Sequence, residues 1–550
     1  MNLYNLALTG LNASQAGLSV TSHNINNAAT DGYSRQRVVT STAGASATSQ
    51  GYFGRGVQVD TVKRQFDGFL YKQLVGASGS AAQLSTQLDQ MTAVNNLFAD
   101  RTVGVSAALS GMFSSLNSAA SAPADPAVRQ DLTGKTNSLV AQINGAYQQL
   151  QNQRDGLNTQ ISTTVTQVNS YLERINDLNQ QITIARGKSG QAPNDLMDQR
   201  DQALADLNEL VGVRWYEQGD SINISLQSGQ TVLAGRTIYP LAAVNSAADP
   251  TRVALAYSMP DGNGGTQTIE LKDEQVNGGK LGGLLSFRNS ALDAVQDQLG
   301  QLAIGLALAF NEQNAKGKDL SGQDGADVFA LKAPSALPNA KNAGTGDISS
   351  RYVKASDIKP GGYKIEFDAA ANSYTVTRLS DNSNVAYTTD VNTGELMFDG
   401  VAIQMAGVPA DGDTWQFQPT RDAARDLSVV LSDPNKWALA DAAGGTSNGQ
   451  NGLEFAKLQT AKVLNNGTTS LGEQFSRLVN NVGVQTQQVK TAKTAADNLV
   501  KQQATAYSSV SGVNMNEEYV SLAVYQEQYQ ASAKVLSVAG VLFDTLLGLR

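Results

Sequence analysis

The sequence predicts a multi-domain α+β chain that is elongated, with coiled-coil helices at both ends. Between them lies a long α-helical bundle into which β-rich domains are inserted. Three observations carry this reading. Apolar residues recur every seven positions at both chain ends, period-3.6 tracts fill much of the middle, and two regions switch to period two. At 550 residues the chain is also too long for one ordinary core.

Residues 1–30 read as a helix, with Tyr4, Leu11, Leu18 and Ile25 at intervals of seven and Ala7, Leu8 and Ala28 beside them. The stretch has no charge apart from His23 if protonated. A helix so short of ion pairs is marginal alone in water, so it is expected to order against a partner. Residues 77–120 and 127–211 are helical by spacing, as in Val165, Val168, Leu172, Ile175, Leu178 and Ile182. Asn194 is placed as the N-cap of a helix ending at Leu210, with Gly212 as its stop. Residues 281–316 and 453–504 follow the same period.

In 213–276, Ile222, Ile224 and Leu226 alternate with polar residues, and Asp261 to Gly265 reads as a turn. In 361–419 the alternating runs are Tyr363-Ile365-Phe367, Tyr374-Val376 and Trp415-Phe417, with a hairpin signal at Asp399-Gly400. Residues 317–360 read as loop or linker. At the far end Met515, Leu522, Tyr529, Leu536 and Phe543 repeat by seven, with Tyr525, Ala539 and Leu546 in the offset row that Glu518 and Ser532 interrupt. A single helix over 505–547 would run roughly 65 Å. The expected division is 1–45 with 505–550 as a terminal coiled-coil, tube-core domain. Residues 46–212 with 281–316 and 450–504 form the helical bundle, 213–280 a β-rich insert, and 317–449 a second, outer β-rich domain with linkers.

Charged residues make up only 16%, against about 25% in soluble proteins. A surface this rich in neutral polar groups suits coverage by other protein. The net charge of −9 argues against nucleic acid, which needs clustered Lys and Arg. Without cysteine there is no disulfide, thiolate nucleophile or zinc–thiolate site. No Lys or Arg precedes Arg35 and no continuous apolar run opens the chain, so a cleaved secretory signal is not expected. The longest apolar stretch, Leu302 to Phe310, falls far short of the ~20 residues a membrane span needs.

No enzyme site emerges, and neither cofactor nor metal is expected. His23, the single histidine, has no carboxylate before Asp31 in its helix and reads as a polar interface residue. Gly134-Lys135-Thr136 and Gly187-Lys188-Ser189 lack the earlier glycine of a phosphate loop and read as helix breaks. The run Asp319 to Gly325 has Asp324 and Ala330 where a calcium loop needs Gly and an acid, and reads as a solvated turn. Asp195, Asp198, Asp201, Asp206 and Glu209 read as the solvated face of a helix with an acidic start.

Ser22, Asn24, Ile25, Asn27, Thr30, Gly32 and Tyr33 resemble the N-terminal signature of the flagellar rod, hook and hook-associated axial family. Gly512 to Glu518, with Asn514 and Glu517 spaced as a capping box, and Tyr525 to Val535 resemble its C-terminal signature. Ser34-Arg35-Gln36, Pro193 to Asp201, Gly282 to Leu285 with Arg288-Asn289, and Phe310 to Asn314 resemble the hook-associated protein 1 branch. That branch usually has His where this chain has Asn314.

The resemblance implies a structural part of the hook–filament junction, a ring of copies at the distal end of the hook. Its partners would be its own copies, hook protein, the second junction protein and a flagellar export chaperone. Secretion would run through the flagellar type III apparatus without a cleaved signal. Assembly would use the two seams, Tyr4, Leu11, Leu18 and Ile25 with Met515, Leu522, Tyr525, Tyr529, Leu536, Phe543 and Leu546. The competing readings are a hook or distal rod protein, a secreted adhesin using its β domains, and a wall-cleaving enzyme.

Overall fold

The computed structural model describes residues 3–99, 104–260 and 265–548. The chain opens with α1 (Leu3–Asn27), then a nested β-hairpin of β1 (Gln36–Thr42), β2 (Ala45–Thr48), β3 (Gly51–Gly54) and β4 (Val57–Arg64). The frame begins with α2 (Gly68–Ala99), α3 (Val105–Ser121), α4 (Pro126–Ser189) and α5 (Asn194–Leu210). The first β insert holds β5 (Val213–Gln218), β6 (Ser221–Leu226), β7 (Thr231–Ala234), β8 (Thr237–Ile238), β9 (Leu241–Asn245), β10 (Val253–Pro260) and β11 (Thr266–Glu270). Its sheets run in the orders β5-β6-β7-β8 and β11-β10-β9, all antiparallel. The frame resumes with α6 (Gly279–Phe287), one π turn (Arg288–Leu292) and α7 (Asp293–Ala315).

The outer unit follows: β12 (Phe329–Ala330), β13 (Ala336–Pro338), β14 (Asp347–Tyr352), β15 (Tyr363–Asp368), β16 (Ser373–Arg378), β17 (Thr388–Thr389), β18 (Leu396–Phe398), β19 (Val401–Ala406) and β20 (Thr414–Phe417). Two four-stranded sheets, β13-β20-β15-β16 and β14-β19-β18-β17, enclose its core. The return runs through α8 (Ala423–Asp426), β21 (Ser428–Val429), α9 (Gln450–Lys457), α10 (Leu471–Ser511) and α11 (Met515–Leu547).

The spine is α4, whose 64 residues span roughly 95 Å at the α-helical rise. Asp125 caps its start by accepting the Ala127 N–H beside Pro126, and Gly190 at φ +69° ends it in the left-handed conformation. Its inward stripe, including Leu132, Leu139, Ile143, Leu150, Leu157 and Ile161, enters the main core with α2, α3, α5, α6, α7 and the first β insert. Phe310 sits fully buried at a ring junction with Phe113, Phe329 and Phe455. A separate core fills the outer unit: Tyr363, Ile365, Phe398, Trp415 and Phe417, joined by Ile304 from α7.

Several expectations are corrected. Residues 36–64 form strands that alternation alone did not flag, and 317–360 contains β12, β13 and β14, whose ladders are completed by strands far along the chain. The expected 505–547 helix is two helices, because Gly512 to Asn514 breaks it. Asn514 does cap α11, but through the Asn516 N–H, and Glu517 turns instead to Arg35, so no capping box forms. Asn194 is inside α5, not its cap; its amide donates to the Val62 carbonyl and to Gln36.

The 453–504 tract is likewise interrupted, between α9 and α10, and a capping box of Ser470 with Glu473 restarts it. Gly134 to Thr136 lies inside α4 rather than breaking it, whereas Gly187 to Ser189 is its last turn. At Asp319 the carboxylate accepts the Ser321 and Gln323 N–H groups and the Lys436 ammonium, so a cation's place is already taken. Asn314 is buried and ties the Ala326 carbonyl to the Ala438 N–H. Asp399-Gly400 does form the two-residue hairpin between β18 and β19, with φ +38° and +79°. Of the expected turn at 261–265, residues 261–264 lie outside the described residues.

Phe310→Ala should lower the unfolding free energy of the frame by about 3–5 kcal/mol. Urea unfolding followed by circular dichroism checks this, and the loss should appear in the frame's transition.

Candidate assembly site

The terminal helices α1 and α11 pair antiparallel. Gly10 lies against Ser532, Gly17 against the Tyr525 ring and Asn24 against Glu518, so both helices step by seven in opposite directions. The side of α1 that is buried carries Ala7, Ser14, Gly17, Thr21 and Asn24. Small side chains let the two backbones approach closely: a Cβ on Gly17 would lie 2.5 Å from the Tyr525 ring.

The contact between α1 and α11 therefore does not run along the heptad rows. Leu11, Leu18 and Ile25 are only half-buried and Tyr4 is exposed. On α11, Tyr525 faces α1, as do Ser532 and Glu518, the two residues that interrupt the apolar row. Met515, Leu522 and Leu536 are half-buried, Tyr529 and Phe543 are exposed, and the Leu546 side chain lies outside the described residues. The signal that leucine spacing hid was the recurrence of small residues at 7, 14, 21 and at 10, 17.

At the inner end of this pair three separated sequence motifs meet in one polar knot. The Asn24 amide donates to the Gln36 carbonyl at 2.9 Å and to Glu518 at 3.0 Å. Its carbonyl accepts the Gln36 N–H at 2.9 Å and the Tyr33 hydroxyl at 2.7 Å. Arg35 bridges Glu517 at 2.5 Å and Glu518 at 2.6 Å. From the α5 side, Asp195 accepts from Gln36, and Asp198 from the Ser34 N–H. Arg64 closes the ring on Asp198 and Asp201, each at 2.8 Å. Asp198 and Asp201 are therefore buried ion-pair members rather than solvated acids.

Burial, with Asp195, Asp198 and Glu518 nearby, pushes the Tyr33 phenol well above its ordinary range. Burial also raises Asp198, outweighing the Ser34 N–H and Arg64. For Arg64 burial acts the other way, yet Asp201 and Asp198 prevail and its guanidinium is held charged.

The rest of the N-terminal motif supports the turn. Gly32 at φ +75° lies so close to Gln202 that a Cβ would collide, Thr30 donates to Asn27, and Asn27 to the His23 carbonyl. Ile25 is half-buried and Ser22 exposed. His23 finds a carboxylate the sequence did not suggest, Asp195 at 3.3 Å, but with 42% and 56% of the two side chains exposed this is a surface contact. Among the described residues no group of His, Cys, Asp and Glu could hold a metal, and no helix is long and apolar enough to cross a membrane.

Comparison with known proteins fits this arrangement. Models described as the flagellar hook-associated protein FlgK helical domain, the hook-associated protein 1 D2-like domain and the flagellar basal body rod FlgEFG protein C-terminal match residues 91–329, 337–419 and 504–549. Flagellar hook-associated protein 1 of Salmonella typhimurium strain LT2 is 38% identical over 560 aligned residues, covering 100% of both chains. The chain belongs to the flagellar hook-associated protein 1 family. The Escherichia coli K12 member is 37% identical, also over 100% of both. The solved hook junction protein FlgK from Burkholderia pseudomallei superposes with a TM-score of 0.74 at 27% identity, covering 80% of this chain and 100% of that one. This family member is a structural axial protein of the hook–filament junction and not an enzyme.

Gly17→Leu should force Tyr525 aside and part α1 from α11. Hydrogen–deuterium exchange in 3–27 should then accelerate while exchange in α4 stays as it was.

Proposed function

We propose that copies of this chain form a ring at the distal end of the hook, which adapts hook to filament and lets the filament assemble. Hook protein contacts one side and the second junction protein the other. In this reading residues 1–45 with 505–550 are the tube-core unit, and the two β-rich regions lie outside the helical frame. The observation that carries it is the surface of the terminal pair. The small-residue seam uses up little apolar area, and Val520, Val524, Val541, Leu542, Phe543 and Tyr4 stay at least 44% exposed. Apolar surface of this extent favours further protein contact, at about 25 cal/mol for each Å² buried. A helix pair this thinly stabilised also suits export in an unfolded state through the flagellar type III channel without a cleaved signal. A chaperone that masks α11 beforehand fits the same surface, and a cysteine-free chain has no disulfide to hinder passage.

The experiment is electron microscopy of cells lacking the gene, with flagellin assayed in the medium. Complete hooks without filaments, and flagellin lost to the medium, are expected; missing hooks would move the protein inward to hook or rod. At residue level, Leu522→Glu should abolish incorporation and leave the frame folded, because a half-buried carboxylate in a protein lattice is costly. Normal filaments from that variant would remove Leu522 from the assembly surface.

A further inference from the structure

We propose that an interleaved cluster of four arginines and four aspartates clasps the outer β unit to the helical frame, and that releasing it lets the unit swing about an apolar fulcrum on α7. This is independent of the ring reading. The cluster draws on the frame, the first β insert and the exit of the outer unit. Arg154 comes from α4, Asp249, Arg252 and Asp273 from the first β insert and the turn after it, Arg288 from the π turn, and Asp293 and Asp297 from α7. Arg421 lies on the segment that leaves the outer unit.

Asp293 is the hub. It meets Arg154 at 2.5 Å, Arg252 at 3.1 Å and Arg421 at 3.6 Å. Arg421 also reaches Asp249 at 3.1 Å, and Arg288 holds Asp273 at 2.7 Å. Beside Arg421, Gln418 donates to Asp249 and Thr420 to Asp297. The exit segment of the outer unit, after β20, is therefore pinned to the frame by charge and hydrogen bonds.

Two features mark this joint as one that can open. First, a cleft of about 930 Å³ separates frame residues such as Arg288 and Asp297 from Pro360, Gly361, Leu379 and Asn382 of the outer unit. Arg288 and Arg421 line it, and their Nε atoms are buried without a hydrogen-bond partner. Second, the two outer sheets have their own core, which Ile304 and Leu308 of α7 enter from the frame, and near them Gln301 donates to the Ile358 carbonyl. One helix thus supplies a charged clasp near its start and an apolar pivot two to three turns later.

The two α7 aspartates differ in what they contribute. Burial opposes the charge on Asp293, but Arg421, Arg252 and Arg154 outweigh it and hold the carboxyl far below its ordinary value. For Asp297 burial dominates and the carboxyl is raised. Asp293→Asn therefore leaves the buried Arg154 guanidinium without a carboxylate, and leaves Arg252 with Asp273 alone and Arg421 with Asp249 alone. Asp297→Asn keeps the acceptor for Thr420 and removes a disfavoured charge.

The test uses the full chain, into which cysteines can be introduced singly because it has none. Spin labels at Val391→Cys, on the outer unit, and Thr163→Cys, on α4, report the inter-unit distance by pulsed electron resonance. The expected result is one narrow distribution in the labelled parent and in Asp297→Asn, and a broadened one with a longer component in Asp293→Asn. A distribution for Asp293→Asn as narrow as the parent's overturns the clasp, and equal broadening by Asp297→Asn overturns its charge basis. If circular dichroism finds Asp293→Asn unfolded, Arg421→Gln carries the same expectation, and a folded, narrow Arg421→Gln overturns the proposal.

Discussion

A buried carboxamide has two donor hydrogens and two acceptor sites to satisfy, and Asn24 satisfies all four only when α1, the turn at 33–36 and the start of α11 are together. That requirement sets the register of the terminal helices. Once Glu518 meets Asn24, steps of seven bring Tyr525 onto Gly17 and Ser532 onto Gly10. The same turn passes Ser34 and Gln36 to Asp198 and Asp195, so the orientation of the terminal pair is tied to α5 and through it to the frame. Leaving Glu518 without Arg35 would strand a buried charge, an event that costs about 3–5 kcal/mol in comparable pairs.

Charge is scarce in this chain, and two buried clusters of it lie where separate parts of the body meet. The knot around Asn24 joins the terminal pair to the frame, and the cluster around Asp293 joins the frame to the outer unit. Within each part the cohesion is apolar, from the stripe of α4 to the Trp415 and Phe417 core. Directional, buried ion pairs fix how bodies are oriented more than they stabilise them, which suits parts that must hold defined angles. The terminal pair is the opposite case: its inner seam is built of small residues, and much of its apolar surface stays exposed in the single chain.

Periodicity made the frame legible. The long stripes of α4, α5 and α7 have so many consistent positions that local noise could not hide them, and Asp399-Gly400 declared its hairpin because few residue pairs accept both left-handed conformations. The terminal motifs were legible too, as a resemblance. What they do was not: Asn24 is 494 positions from Glu518, and no local pattern reports a bond across that interval. The contact face between α1 and α11 was hidden for a related reason. Leucine spacing marks the largest apolar side chains, whereas a close helix pair selects for the smallest.

The sequence by itself determined the class of the protein, its helical frame, its two β-rich regions, the lack of thiol chemistry and the family signatures at its ends. These depend on composition and on contacts within a few residues. The tertiary structure alone decided which face of α1 meets α11, that Asp198 and Asp201 are buried partners of Arg64, that Lys436 fills the loop at Asp319, and that eight charges converge on α7. Each of those is a long-range juxtaposition. A carboxylate has the same letter whether it faces water or a guanidinium, and only the packed chain supplies its neighbour.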